Sequence, residues 1–134
     1  MSNEKFVVCV DGVYIKDGKI FLLKRSTEPF NSYWHLVGGH VEENETLKEA
    51  LKREFKEETN LDIDVGDMID GRLEKTSDRI KIIVTFKVTS AQGKIKLNPE
   101  SEEYGWFSKI PRDSVYDYSK YLPKKDANSN KPAT

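Results

Sequence analysis

The chain has 134 residues, 22 Lys and Arg against 23 Asp and Glu, a net charge of −1 and one cysteine. That length suits one domain with a real core, and the even charge balance argues against a protein that works by covering a nucleic-acid backbone, which needs a clear positive excess. No run of about 18 apolar residues is present to span a membrane, the start Met1-Ser2-Asn3-Glu4-Lys5 has no signal-peptide pattern, and Cys9 alone forms no internal disulfide, so a cytoplasmic protein is expected.

Phe6 to Ile15 and Lys19 to Arg25 are β-branched and apolar. Asp17-Gly18 between them is a favoured two-residue turn, which predicts an antiparallel hairpin. Tyr33 to Val37 predicts a short strand that Gly38-Gly39 stops. From Thr46 to about Asn60 the spacing turns helical. Thr46 and Glu49 fit a capping box, and Asn60 suits a left-handed C-terminal cap. Leu61 to Val65, Met68 to Leu73 and Ile80 to Thr89 read as strands, Glu103 to Ser108 as a shorter one, and Pro111 as the start of a last helix through about Tyr121. No repeat is found. The expectation is one domain over residues 1–123, with a disordered polar tail over 124–134. The order strands, helix, strands, helix predicts an α+β fold in which helices pack on the faces of a mixed sheet.

The helix carries the chemistry. At about 100° per residue, Leu47, Ala50, Leu51 and Phe55 form its apolar side. Glu54 and Glu58 fall inside that stripe, in line with Leu47, Leu51 and Leu61, while Glu57 sits about 60° or more away with Arg53 beyond it. Charge runs usually solvate a surface helix, and the Arg53–Glu57 pair at i, i+4 is compatible with that. Two carboxylates four residues apart on a buried line repel each other, however, and an unpaired buried carboxylate is costly. A cation between them resolves both problems. Mg²⁺ takes a few carboxylates and fills its octahedron with water and phosphate oxygens.

These residues resemble the signature of the Nudix hydrolases. Gly39-His40-Val41-Glu42-Glu43-Asn44-Glu45, then Arg53-Glu54-Phe55-Lys56-Glu57-Glu58-Thr59-Asn60-Leu61, follow its spacing. Six positions match fixed residue types, a coincidence on the order of 10⁻⁷ per start point if each type is near ~7% of residues. Two positions depart from the pattern. Asn60 stands where the family has its last Gly, and Val37 stands where Pro often precedes the Gly pair.

The resemblance implies an α/β/α sandwich with a mixed sheet and hydrolysis of a nucleoside diphosphate linked to another group. It places metal ligands at Glu54, Glu57 and Glu58 with the carbonyl of Gly39, and makes Glu45 and Arg53 a structural brace. Mg²⁺ is the expected cofactor, with Mn²⁺ as a substitute. The general base is a signature glutamate or a later carboxylate, with Glu100 and Glu103 as candidates in the acidic stretch after Asn98-Pro99. Arg25 is a candidate for a phosphate, and Phe30 and Trp34 for a base or ribose. His35 and His40 lack the paired spacing of a zinc site and read as peripheral. The Tyr116, Tyr118, Tyr121 series forms no helical stripe and receives no role. The expected substrate is ADP-ribose, a sugar nucleotide, or a nucleoside triphosphate, ordinary or oxidised, with no membrane partner and a homodimer left open. The alternatives are a silent nucleotide-binding module and an isoprenoid diphosphate isomerase. The isomerase wants a pocket cysteine and acid, for which only Cys9 is available.

Overall fold

The computed structural model describes residues 5–124. Seven strands, β1 (Lys5–Lys16), β2 (Lys19–Arg25), β3 (Trp34–His35), β4 (Val37–His40), β5 (Asp62–Lys75), β6 (Arg79–Gln92) and β7 (Ser101–Phe107), form the sheet that carries one helix, α1 (Leu47–Thr59). Asp17 and Gly18 both have left-handed φ, of 54° and 76°, and join β1 to β2 as the Asp-Gly pair predicts. The hairpin pairs only at its end, Ile15 with Ile20 and Lys16 with Lys19. The rest of β1 runs parallel to β6 and antiparallel to β4, and β6 pairs with β5. On the other arm β2 pairs with β3 and β7. The sheet is therefore mixed and forks at β1.

Side-chain alternation sets the two faces. Even positions of β1 and β6, such as Val10, Val84 and Phe86, join Leu51 and Phe55 of α1 in the larger core. Odd positions face the other way, and Val13 packs there with Leu36 and Tyr118. The run Ile20 to Leu23 is wholly buried because β2 feeds both cores, Phe21 and Leu23 on one face and Ile20 and Leu22 on the other. Burying each such side chain contributes about 1.5–3 kcal/mol.

The helix starts and stops as its ends predict. Thr46 Oγ1 accepts from Glu49 N at 3.1 Å, and Glu49 Oε1 accepts from Thr46 N at 2.8 Å. Asn60 takes φ 67° and donates its N–H to the Lys56 carbonyl. Asn is the best tolerated residue after Gly in that conformation.

Three expectations are corrected. Gly38-Gly39 does not stop a strand but lies within β4, where Gly39 pairs with Val10 and Gly38 with Asp11. A Cβ on Gly38 would stand 2.1 Å from the Val10 carbonyl oxygen, so the pair serves close backbone approach. The two strands expected from Leu61 to Leu73 are one, β5, with register shifts between Asp64 and Asp70. The helix expected from Pro111 is absent, and only a 3₁₀ turn forms at Ser119–Tyr121. Its backbone groups are satisfied elsewhere. Val115 N donates to Trp34 O and Trp34 N to Asp113 O, both at 2.8 Å. A long irregular segment thus covers the second face, with α1 the sole α-helix among the described residues. No helix there is long and apolar enough to cross a membrane. The expected tail, beyond Lys124, lies outside the described residues.

Candidate active site

The C-terminal half of α1, strand β4 and the loop before β7 enclose an acidic cleft of about 400 Å³. Glu54, Glu57, Glu58 and Glu100 line it, with Gly38, Gly39 and His40 on the opposite wall. Glu54 and Glu58 are drawn in by the apolar stripe they share. Glu58 is 6% exposed, and its Oε2 is buried with no hydrogen-bond partner. Burial, then the neighbouring Glu54 carboxyl and the charges of Glu100 and Glu57, hold the Glu58 carboxyl well above the usual carboxylate range.

Arg53 ties the cleft to the loop. Its Nε donates to Glu45 Oε2 at 2.6 Å, and its Nη2 to Glu45 Oε1 at 3.1 Å and to the His40 carbonyl at 2.9 Å. Nη1 donates to Glu54 at 2.8 Å and to Glu57 at 3.2 Å. Glu45 also accepts from Glu42 N at 2.8 Å. One guanidinium thus fixes the loop, β4 and two of the three glutamates, a fork geometry that a lysine lacks. Arg53 and Glu42 bring the Glu45 carboxyl below its ordinary value.

The Nudix domain model matches residues 5–129. The chain belongs to the Nudix hydrolase family. It is 34% identical over 121 residues to the ADP-ribose pyrophosphatase of Methanocaldococcus jannaschii, covering 86% of this chain and 70% of that one. It is 34% identical over 130 residues to the nucleoside triphosphatase NudI of Escherichia coli, covering 85% and 87%. A MutT Nudix hydrolase from Burkholderia pseudomallei shares the fold, with a TM-score of 0.78, 23% identity and coverage of 84% and 92%.

Nudix hydrolases use a divalent metal, and the residues present fit one. The donor set is all oxygen, which suits a hard cation. Glu58 Oε2 is an orphaned buried acceptor aimed at no donor of the protein. A Cβ on Gly39 would stand 2.6 Å from the Glu54 carboxylate, so the glycine leaves a cradle against the acid. Among the described residues no three His, Cys, Asp or Glu side chains are already gathered as a closed metal cluster. Arg53 engages Glu54 and Glu57 instead.

The other sequence candidates separate. Arg25 lines the cleft, its Nε held by the Pro29 carbonyl at 2.7 Å. Glu100 reaches the cleft, whereas Glu103 sits opposite Lys24 in the β2–β7 ladder and pairs with it at 3.4 Å. Phe30 is half exposed and lines a second groove. Trp34 packs edge-on to Phe107 at 4.7 Å in the smaller core. Four residues without an expected role face these spaces. His35 and His40 line both clefts, Ser101 is buried beside Arg25 with its Oγ unpartnered, and Arg72 lines the second groove. His40 stands inside the signature run, but spacing gives no signal for Ser101 or Arg72, which come from other strands.

Proposed function

We propose that this Nudix hydrolase cleaves a diphosphate linkage in a nucleotide with Mg²⁺, acting on a nucleoside diphosphate derivative such as ADP-ribose or on a nucleoside triphosphate. The observation that carries this reading is the unpartnered, buried Glu58 oxygen in an otherwise carboxylate-lined cleft. The names of the relatives, a pyrophosphatase and a triphosphatase, support the same substrate range.

Glu54, Glu57 and Glu58, with the Gly39 carbonyl, would hold the metal, which when bound supplies charge neutralisation and a more acidic water. The chain does the rest. Glu45 and Arg53 keep the glutamate-bearing turn of α1 against β4. Arg25 orients a phosphate at the mouth, its side chain held by its own loop through Pro29 and Thr27. Glu100 takes the proton from water, the role favoured over Glu103 because Glu103 is engaged by Lys24. Phe30 meets the nucleoside, while Trp34 acts through packing.

The test is product release from a panel of ADP-ribose, sugar nucleotides, dinucleoside polyphosphates and ordinary and oxidised nucleoside triphosphates, with Glu58→Gln beside the wild type. Mg²⁺-dependent turnover should fall on the order of 10²-fold or more in the variant, the size typical of losing one preorganised charge stabiliser. Its melting temperature without metal should hold or rise, because the substitution relieves a buried like-charge contact. Mg²⁺ should raise the wild-type melting temperature and leave the variant's unchanged. Turnover that survives Glu58→Gln, or that ignores Mg²⁺, would sink the proposal.

A further inference from the structure

A second groove, of about 630 Å³, opens on the sheet face opposite α1 and meets the acidic cleft at Arg25, Gly38, Gly39 and His40. Leu36, Ile83, Val115 and the half-exposed Phe30 give it apolar walls. Within it lies Arg72 of β5, its guanidinium carbon 4.2 Å over the Tyr116 ring. Arg72 Nε and Nη2 are both buried and have no hydrogen-bond partner. Glu74 Oε2 stands 3.9 Å from Nε, beyond hydrogen-bond range.

Two buried, unpaired donors on a partly exposed cation are unfavourable, and an acceptor that reached them would recover that loss. Nε and Nη2 lie on one edge of the guanidinium and donate in parallel, so their match is a pair of neighbouring acceptor atoms. A phosphate offers such a pair, and Arg25 and Lys81 also line the groove, but Glu74 Oε2 stands 3.9 Å from Nε and opposes an anion at that edge. The apolar walls suit a flat, neutral ring. The Tyr116 ring that covers the two nitrogens stands on the segment between Pro111 and Tyr118, which has no helix or strand of its own. Its hydroxyl bonds Glu74 and its ring packs edge-on to Tyr118, so a ligand that reaches the two nitrogens has to displace the ring from that contact.

We propose that Arg72 selects the nucleobase: it takes the edge of a ring with two adjacent acceptors, N3 and O2 of cytosine or N7 and O6 of guanine, while the phosphates lie over Gly38-Gly39. This rests on the hydrolase reading for the position of the phosphates. Adenine sets an acceptor beside a donor on the corresponding edge, and uracil carries hydrogen on N3. The N7 of 8-oxoguanine also carries hydrogen. These three mismatch the fork.

The experiment compares kcat/KM for CTP with UTP, and for GTP with ATP, 7-deaza-GTP and 8-oxo-GTP, in the wild type, Arg72→Gln and Arg72→Lys. Calorimetric binding of CMP, UMP, GMP and AMP runs beside it. A good bidentate contact should favour CTP over UTP, or GTP over its three comparators, by about 10- to 100-fold. Arg72→Lys keeps the charge but lacks the fork, and should reduce that preference to about threefold or less, mainly through KM. Hydrolysis with no base preference in the wild type, or a preference that survives Arg72→Lys, overturns the assignment of Arg72 alone. No hydrolysis with a retained CMP or GMP preference in binding overturns the hydrolase reading and keeps the base site. If the Arg72 variants do not fold, a wild type that shows no preference for CTP over UTP and none for GTP over 7-deaza-GTP still overturns the proposal, since each pair differs at the edge in question.

Discussion

The ring of His35 stands on β3 with Nδ1 2.7 Å from the Leu36 carbonyl oxygen. A carbonyl only accepts, so Nδ1 carries the hydrogen and the ring is satisfied when neutral. Burial lowers its pKa to about 4; the Leu36 bond opposes that shift, and the Arg25 charge adds to it. The unfolded chain takes a proton near the ordinary value of about 6.5. Between those values the unfolded state binds more protons, so this contribution to stability is present above about pH 6.5 and is lost as pH falls towards about 4. Glu58, whose pKa is raised, works in the opposite sense and favours the folded state as pH falls. Comparison with His35→Gln isolates the histidine. Urea unfolding at pH 7.5 and pH 5 should show the wild type losing about 2 kcal/mol more than the variant. Equal losses would mean that the ring is solvated and takes its proton in the folded chain.

Helix α1 binds sequence to site most directly, because its two ends are set by local hydrogen bonds. Thr46→Ala removes the acceptor for Glu49 N and should cost about 1 kcal/mol. That corresponds to a fall of about 4 °C in melting temperature for a chain of this size. The glutamates begin two turns further on, so kcat and the proposed Mg²⁺ requirement should hold; a large loss of activity would show that the cap also sets the register of the acidic turn. The same locality explains what the sequence makes legible. The Asp17-Gly18 turn, the capping box, the Asn60 cap and the burial of Glu58, with Glu54 partly buried, follow from neighbours within a few residues, and all are present. What escapes is non-local. Gly38-Gly39 looks like a strand stop until β1 is laid within 2.1 Å of a missing Cβ. The segment after Pro111 looks helical until the backbone of Trp34 takes its hydrogen bonds. In the site, the signature places one wall and Arg25 is a sequence candidate for the mouth, whereas His35, Ser101 and Arg72 reach the clefts only through strand pairing.

At the scale of the molecule, one sheet separates two cores that are covered by different means. On one face α1 supplies Leu51 and Phe55, both fully buried. On the other, Val13, Ile20, Leu22 and Leu36 are closed over by Tyr118, which is 2% exposed although it belongs to no regular element. Its neighbours moor the segment to β5: Tyr121 Oη donates to Asp70 at 2.6 Å, and Lys120 pairs with the same carboxylate at 2.5 Å. Exposed ion pairs of that kind contribute little alone, so the buried aromatic ring should carry most of the attachment. Tyr118→Ala should therefore cost about 3–5 kcal/mol, the range for truncating a large buried aromatic. That is a large part of a total of about 5–15 kcal/mol for a domain. Because the segment also brings Val115 and Tyr116 to the second groove, KM for nucleotide should rise while the Mg²⁺ response, set on the other side of Gly39, persists in the folded fraction. Thermal unfolding and steady-state kinetics on one preparation separate the two effects. A melting temperature within about 2 °C of the wild type would mean that the face covered by α1 holds the fold by itself, and that the aromatic segment belongs to the groove alone.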